Sequence, residues 1–193
     1  MKKPLLCLLL AAALSATGAS AGTVSLYGSA WNTDDLDDTF GGGIALGVPL
    51  GESVVDVDLR AAYQDELSDR PVDALFEDDD PVFEPDGITV IPAEVGLRVN
   101  LNRGGVANPY LGGGASYFFI DPKRPGLTID DEVGFYGLVG SRFGRGESAN
   151  FFAEATYRQA EATAERGDVG EIVDRVELDL GGFGANVGVI WRW

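Results

Sequence analysis

Histidine is absent from this 193-residue sequence, and its one cysteine is Cys7. A serine–histidine pair therefore cannot be assembled, and a cysteine nucleophile would have to be Cys7 itself. Paired carboxylates such as Asp56 and Asp58 could do acid–base chemistry, but salt bridges to Arg60 or Arg98 are the simpler interpretation. The sequence predicts a protein that is not an enzyme and that has neither a cofactor nor a disulfide.

Basic residues are also scarce, with 14 Lys and Arg against 31 Asp and Glu, which gives a net charge of −17. An acidic chain repels the phosphates that dominate binding to nucleic acids. We therefore expect no nucleic-acid partner.

The first 21 residues have the three parts of a secretory signal peptide. Two lysines precede an apolar stretch from Leu5 to Leu14, and small residues lead up to a cleavage position after Ala21. A transmembrane anchor would need about 18 or more apolar residues. We expect a signal peptide at 1–21, which removes the only cysteine, and one exported domain at 22–193.

The exported domain alternates between apolar and polar residues. In "VVDVDLRAAYQ", Val55, Val57 and Leu59 share one face while Asp56 and Asp58 share the other. A helix cannot present this period of two, so the stretch predicts a β-strand. The same pattern recurs in "AEVGLRVNL" (93–101), "FFAEATYR" (151–158) and "GANVGVIWRW" (184–193). Weaker segments lie at 23–31, 40–50, 109–120 and 133–143, and for the last two either face could be the apolar one.

Two local features refine these strands. In 40–50, small residues at Gly43 and Gly47 share the face opposite Ile44 and Leu46, which would leave room for larger neighbours inside a narrow barrel. Pro92 cannot donate to a ladder and therefore predicts a strand end or a bulge nearby.

The connections between the eight segments alternate in length. The long ones are 32–39, 65–86, 121–132 and 161–177, and the short ones are 51–53, 102–108 and 144–149. Up-and-down strands with long loops at one end and short turns at the other are typical of bacterial outer-membrane barrels. We expect an all-β fold, an eight-stranded antiparallel up-and-down transmembrane β-barrel in the bacterial outer membrane, with both termini on the periplasmic side.

Charge is also distributed unevenly between the long connections and the rest of the exported domain. The long connections hold 24 acids and five bases, a net charge of −19 that equals the net charge of the exported domain, so we expect acidic extracellular loops. The charges predicted to face the interior nearly balance. Because a buried charge is costly unless it is paired, they predict a polar network that fills the barrel. Its members are Asp56, Asp58, Arg60, Glu94, Arg98, Arg142, Glu154, Arg158 and Arg192.

Alternation alone does not decide which face is outside, because a soluble barrel or sandwich has the same period with its apolar residues inward. Apolar rings at the chain terminus, and Tyr and Trp near strand ends that suit an interfacial aromatic belt, favour the membrane barrel. A membrane barrel also pairs every backbone group and leaves no open edge.

The signal peptide, "NPYLGGGASY" at the start of a strand, "FFAEATYR" and "GANVGVIWRW" together resemble the small outer-membrane β-barrel family that includes the OmpA-type membrane domain and OmpX-type proteins. The resemblance covers essentially the whole exported domain. In that family, a last strand of alternating apolar residues that ends on an aromatic residue is read by the barrel-assembly machinery. The resemblance implies such an assembly signal here, with tryptophan where phenylalanine is usual at the end: Phe183, Val187, Val189, Trp191 and Trp193.

The acidic stretch "LFEDDDPVFEPDG" offers hard oxygen ligands for a divalent cation at Asp78, Asp79, Asp80 and Glu84. It does not have the spacing of an EF-hand loop, and a solvated run of charge is the alternative interpretation.

Two classes of function fit this sequence. The first is a structural or surface-interaction protein, a monomer in outer-membrane lipid whose acidic loops meet a surface partner. The second is a small pore or transport module, although about eight strands leave an interior just wide enough for side chains. A soluble exported lipocalin-like binding barrel is a third alternative.

Overall fold

The computed structural model describes residues 22–33, 38–51, 53–66, 88–102, 105–122, 127–144, 149–168 and 171–192. The predicted signal peptide at 1–21 lies outside the described residues.

Eight of the strands close into one barrel. They are β1 (Thr23–Thr33), β2 (Thr39–Pro49), β3 (Val55–Glu66), β4 (Ile88–Asn100), β5 (Ala107–Pro122), β7 (Glu132–Phe143), β8 (Ala149–Gln159) and β11 (Gly182–Arg192). Each strand pairs antiparallel with its neighbours along the chain, and β1 pairs with β11 to close the ring. Strands of this length are long enough to cross a bilayer when tilted. The predicted eight-stranded antiparallel up-and-down barrel is confirmed.

A second, three-stranded sheet lies in the connections of the barrel. It consists of β6 (Leu127–Ile129), β9 (Glu161–Asp168) and β10 (Glu171–Asp179), in the order β10, β9, β6. β6 lies in 121–132, and β9 and most of β10 lie in 161–177, segments that the sequence predicts to be loops. Acidic residues are depleted in strands, and a register shift between Ile172 and Asp174 interrupts the alternation of β10, so the pattern was not visible.

The apolar face of the barrel points outward. Phe135, Phe151 and Phe183 are 69%, 70% and 72% exposed. The burial of β8 alternates without a break from Ala149 to Gln159. In β5 and β7, where the sequence left both faces open, the odd-numbered residues face outward and the even-numbered residues face inward. This arrangement is the opposite of a soluble barrel, which would bury its large apolar side chains.

The small residues of β2 face the interior and make room for large side chains. A Cβ atom added at Gly43 would lie 2.5 Å from Cζ of Tyr27, and one added at Gly47 would overlap Nη2 of Arg98. The glycine face therefore admits an aromatic ring and a guanidinium into a narrow barrel.

Gly43→Ala is expected to lower the free energy of unfolding by about 1–3 kcal/mol, because the added methyl group overpacks against the Tyr27 ring. Gly137→Ala is the matched control, since a Cβ there would meet no heavy atom within 4 Å. Urea unfolding in lipid vesicles, followed by the shift between folded and unfolded bands on a gel, measures both. Equal losses for the two variants would contradict the close approach at Gly43.

Pro92 interrupts one ladder of β4. It pairs with Phe118 on the β5 side, but on the β3 side no pairs form between Ala61–Ala93 and Gln64–Val90, although the register is the same at both. Proline has no N–H to donate. The strand end or bulge predicted near Pro92 is therefore wrong, because Pro92 lies inside β4 and the ladder to β3 is interrupted there without a register shift.

Candidate functional site

Charged side chains fill the middle of the barrel. Eight of the nine residues predicted for the interior network are buried, with exposures from 0% to 6%, namely Asp56, Asp58, Arg60, Glu94, Arg98, Arg142, Glu154 and Arg158. Four are carboxylates and four are guanidinium groups, so their formal charges cancel. Alternation places them inward because each occupies the face opposite the lipid-directed residues of its strand.

Five of these residues form a chain of alternating charge across three strands. The carboxylate of Glu154 lies 2.5 Å from Arg60 Nη2, and Arg60 Nε lies 2.9 Å from Asp58 Oδ2. Arg98 continues the chain, with Nη1 3.3 Å from Asp58 Oδ1 and Nη2 3.2 Å from Asp56 Oδ2. Each buried charge in the chain therefore has an opposite charge beside it, which burial of ions requires.

Glu154 joins strands from around the barrel. Besides Arg60, its carboxylate accepts hydrogen bonds from Tyr110 Oη at 2.8 Å and from Asn186 Nδ2 at 3.1 Å. These partners lie on β3, β5 and β11, while Glu154 lies on β8. One side chain thus links four of the eight barrel strands across the interior.

A second ion pair lies beside this chain. Arg158 Nε is 2.8 Å from Glu94 Oε1, which also accepts a hydrogen bond from Ser116 Oγ at 3.2 Å. The guanidinium of Arg158 lies 5.3 Å from the ring centroid of Trp31. Arg158 therefore links the charged groups in the middle of the barrel to Trp31, because the face of an aromatic ring attracts a cation.

At the short-turn end, amide and aromatic groups complete the network. Arg142 donates to Asn100 Oδ1 and lies 5.5 Å from the ring centroid of Tyr110. Asn100 in turn donates to Asp56 Oδ2 at 2.9 Å. Arg192, the ninth predicted member, is exposed. It shares the inward parity, but it is the last residue of β11 and so lies at the barrel rim and not among the buried charges.

An apolar cluster fills the long-connection end of the barrel. We call it the outer apolar cluster, and it consists of Trp31, Ile88, Val90, Phe118, Ile120, Ile129, Ala160, Ala162 and Leu180. The rings of Trp31 and Phe118 stack at 5.9 Å between centroids, with 27° between their planes. Members from β6 and β9 pack onto members from the barrel strands. The sequence patterns do not predict this cluster, although the inward parity of Trp31 in β1 is a signal for it.

The predicted cation ligands Asp78, Asp79, Asp80 and Glu84 lie outside the described residues. Within the described ranges, no group of three or more His, Cys, Asp or Glu residues is arranged to hold a metal ion.

The predicted assembly signal lies on β11. Phe183, Val187 and Trp191 are 72%, 63% and 39% exposed on the outer face. Val189 is half-buried on the same stripe, and Trp193 lies outside the described residues. This stripe presents apolar side chains to the surroundings of the barrel.

In the described part of the chain, no helix is both long and apolar enough to cross a bilayer. The structure is similar to outer membrane protein OprG from Pseudomonas aeruginosa, with a TM-score of 0.67, 14% identity and coverage of 91% of this chain and 96% of that one. It is also similar to outer membrane protein AlkL in DMPC lipid bilayers (TM-score 0.63, 14% identity, 90% of each chain). Neisserial surface protein A is a third (TM-score 0.56, 9% identity, 90% of this chain and 96% of that one). At these identities the likeness shows the fold.

No curated protein matched the sequence. The family model for the outer membrane protein beta-barrel domain matches residues 4–190, which is nearly the whole chain. This match is consistent with the apolar outer face and the closed ring of strands, which a membrane-spanning barrel requires. The protein therefore belongs to the outer membrane protein β-barrel family and is located in the bacterial outer membrane.

Proposed function

We propose that the protein is a non-conducting structural barrel with no catalytic activity, and that its long-connection end is an acidic interaction surface outside the cell. The observation that carries the proposal is the filled interior. The chain from Glu154 to Asp56 occupies the middle of the barrel, and the outer apolar cluster occupies the long-connection end. Ions would have to displace both layers to pass.

The acidic surface is supported by charge at the long-connection end. Several acids there are exposed in the structure, namely Asp38, Asp121, Asp130, Glu161, Glu177 and Asp179. They belong to, or adjoin, connections whose net charge is −19 in the sequence. A field of one sign repels anions and attracts cationic partners over about 10 Å at moderate salt. A surface partner with exposed Lys or Arg residues fits this end.

The outer face supports three further parts of the proposal. Its apolar side chains suit contact with outer-membrane lipid as a monomer, and its last strand has the stripe expected of a signal for the barrel-assembly machinery.

Phe183→Asp together with Val187→Asp is expected to reduce insertion during assembly, because charge on this stripe opposes lipid contact. Unchanged insertion in vesicles that contain the machinery would contradict the role of the stripe.

Planar bilayer recording tests the closed interior. Purified wild-type protein is expected to give no stable channel openings, because ion-paired side chains and the outer apolar cluster occupy the interior. Gel mobility of the unboiled sample confirms that folded barrel was added. Reproducible openings from folded protein would contradict the proposal.

A small pore is the second candidate function, and one observation favours it. Within the described residues, several buried polar atoms have no hydrogen-bond partner, including Arg60 Nη1, Arg98 Nε and Tyr136 Oη. Buried groups of this kind are commonly satisfied by ordered water. A hydrated interior is what a narrow pore would need, and stable openings in the bilayer recording would favour this function.

The proposed cation site in the loop is tested by calorimetry with Ca²⁺. Wild-type protein is expected to bind and a variant with all four predicted ligands neutralised to lose binding, because the carboxylates supply the charge that holds the ion. The changes are Asp78→Asn, Asp79→Asn, Asp80→Asn and Glu84→Gln, and a control variant neutralises Asp34, Asp35, Asp37 and Asp38. Equal weakening in the two variants would show general charge attraction and no site.

A further inference from the structure

The short-turn end of the barrel holds a buried guanidinium group that the described residues do not pair with an acid. Arg142 is 6% exposed and its Nη2 donates to Asn100 Oδ1, but in the described structure its Nε has no hydrogen-bond partner. Arg60, Arg98 and Arg158 each have a carboxylate at ion-pair distance, and Arg142 has none within the described ranges. Arg142 thus retains charge and a donor group for a further partner.

Two more guanidinium groups lie close to Arg142. Those of Arg98 and Arg142 each lie 5.5 Å from the ring centroid of Tyr110. Arg98 Nη2 donates to Thr23 Oγ1 at 3.3 Å, and Thr23 pairs with Arg192 between β1 and β11. Arg98 and Arg192 are accordingly the cations that act most strongly on Arg142. Three positive charges therefore converge at this end of the interior.

The charges of this end do not cancel. The chain from Glu154 to Asp56 contains three carboxylates and two guanidinium groups. Arg142 and Arg192 add two guanidinium groups, so four cations face three anions, an excess of one positive charge. The second ion pair beside the chain is neutral. An excess of one sign attracts an ion of the opposite sign, so this end of the barrel favours an anion.

An anion can approach Arg142 from the short-turn end. Arg142 is the last residue but one of β7, and Arg192 is exposed at the rim. Gly144 follows β7 with a φ of 134°, and a Cβ atom there would lie 2.6 Å from Asn150 Oδ1. The turn beside Arg142 therefore requires glycine, and no side chain from this position covers the guanidinium group. The outer apolar cluster fills the opposite end of the barrel.

We propose that Arg142 and Arg192 form a phosphate-binding site at the short-turn end of the barrel. Arg142 supplies buried charge and its unpartnered Nε, and Arg192 supplies a second guanidinium group at the rim. A phosphate group has three acceptor oxygens around one centre, so it accepts from two guanidinium groups on different strands. A carboxylate has two oxygens in one plane, which match a single guanidinium fork.

Calorimetric titration of the folded protein with inorganic phosphate tests the site. Maltoside micelles are used, because this detergent contains no phosphate. Wild-type protein is expected to bind phosphate. Arg142→Gln removes the charge and keeps an amide donor, and it should weaken binding about tenfold, since a charged hydrogen bond to a buried group is lost. Arg192→Gln should weaken binding about threefold, because an exposed cation contributes less.

Arg175→Gln is the matched control, because it removes the same charge from β10 in the second sheet. It should leave the affinity for phosphate unchanged. The gel mobility of unboiled samples shows that each barrel is closed. If Arg142→Gln fails to close, Arg192→Gln still tests the site, since Arg192 is exposed at the rim and its loss leaves the buried network intact.

Phosphatidylglycerol added to the micelles distinguishes two sources of phosphate. A lower affinity for inorganic phosphate in its presence would show that a lipid headgroup occupies the site, and an unchanged affinity would show a soluble phosphate. Both results require the proposed site. No binding by the folded wild-type protein would overturn the proposal, and so would equal weakening in Arg192→Gln and Arg175→Gln.

Discussion

Glu154→Leu is expected to lower the free energy of unfolding by about 3–5 kcal/mol, the usual cost of breaking a buried ion pair by removing one partner. The substitution takes away the acceptor of Arg60 Nη2, which lies 2.5 Å from the carboxylate. It also leaves Tyr110 and Asn186 without their acceptor. Urea unfolding in lipid vesicles measures the loss.

Two companion variants separate the ion pair from the loss of a side chain. Glu161→Leu changes the same residue type at an exposed position and should shift the free energy by no more than about 0.5 kcal/mol. Arg60→Met combined with Glu154→Leu should cost less than Glu154→Leu alone, because the double variant restores equal numbers of buried carboxylates and guanidinium groups and Asp58 keeps Arg98 as its partner. If the double variant loses as much free energy of unfolding as Glu154→Leu alone, or more, Arg60 and Glu154 are not coupled as an ion pair.

Val139→Arg is expected to cost about 2–4 kcal/mol, the effect of a cation on the lipid-facing side of a barrel near the bilayer midplane. Val139 is 61% exposed and lies in the middle part of β7. At an exposed position of a soluble protein, the same change would alter the free energy of unfolding by no more than about 0.5 kcal/mol. The free energy of unfolding in vesicles therefore reports the environment of the outer face.

Val133→Arg is the depth-matched control on the same strand and the same face. Val133 is 60% exposed, but it lies at the start of β7, where a cation reaches the headgroups and costs about 0–1 kcal/mol. Equal costs at the two positions would contradict the placement of the middle of β7 in the bilayer.

The faces of the strands could be predicted because the period of two is local. In β8, every second residue from Phe151 to Tyr157 is exposed, as the alternation of "FFAEATYR" indicates. Where both faces carry apolar residues, as in β5 and β7, the local pattern is ambiguous. There the register against neighbouring strands decides the face, and that register depends on residues far away in the chain.

The partners inside the barrel could not be predicted for the same reason. Alternation shows that Arg60 and Glu154 face inward, but they are 94 residues apart in the chain. Only closure of the ring sets which carboxylate meets which guanidinium. Alternation also predicts the wrong environment at a strand end. Arg192 occupies an inward-facing position of β11, but its side chain is exposed at the barrel rim.

The outer apolar cluster and the second sheet show a different limit. Ala160 and Ala162 are small, and the acidic residues beside them suggested a loop. They are buried because β6 and β9 pair and pack against the barrel strands. A strand that buries only small residues has a weak apolar signal in its own sequence, and its neighbours supply the rest of the contact.

Site-directed spin labelling along β8 tests the central claim, a barrel with a lipid-facing wall and a filled interior. Residues 22–193 contain no cysteine, so single cysteines at Phe151, Phe152, Ala153, Ala155, Thr156 and Tyr157 can each carry a nitroxide in vesicles while the ion-paired Glu154 and Arg158 stay in place. We expect odd-numbered positions to be accessible to oxygen and shielded from a water-soluble nickel chelate, and even-numbered positions to be shielded from both. Nickel access at the odd positions would contradict the lipid-facing wall, and nickel access at the even positions would contradict the filled interior.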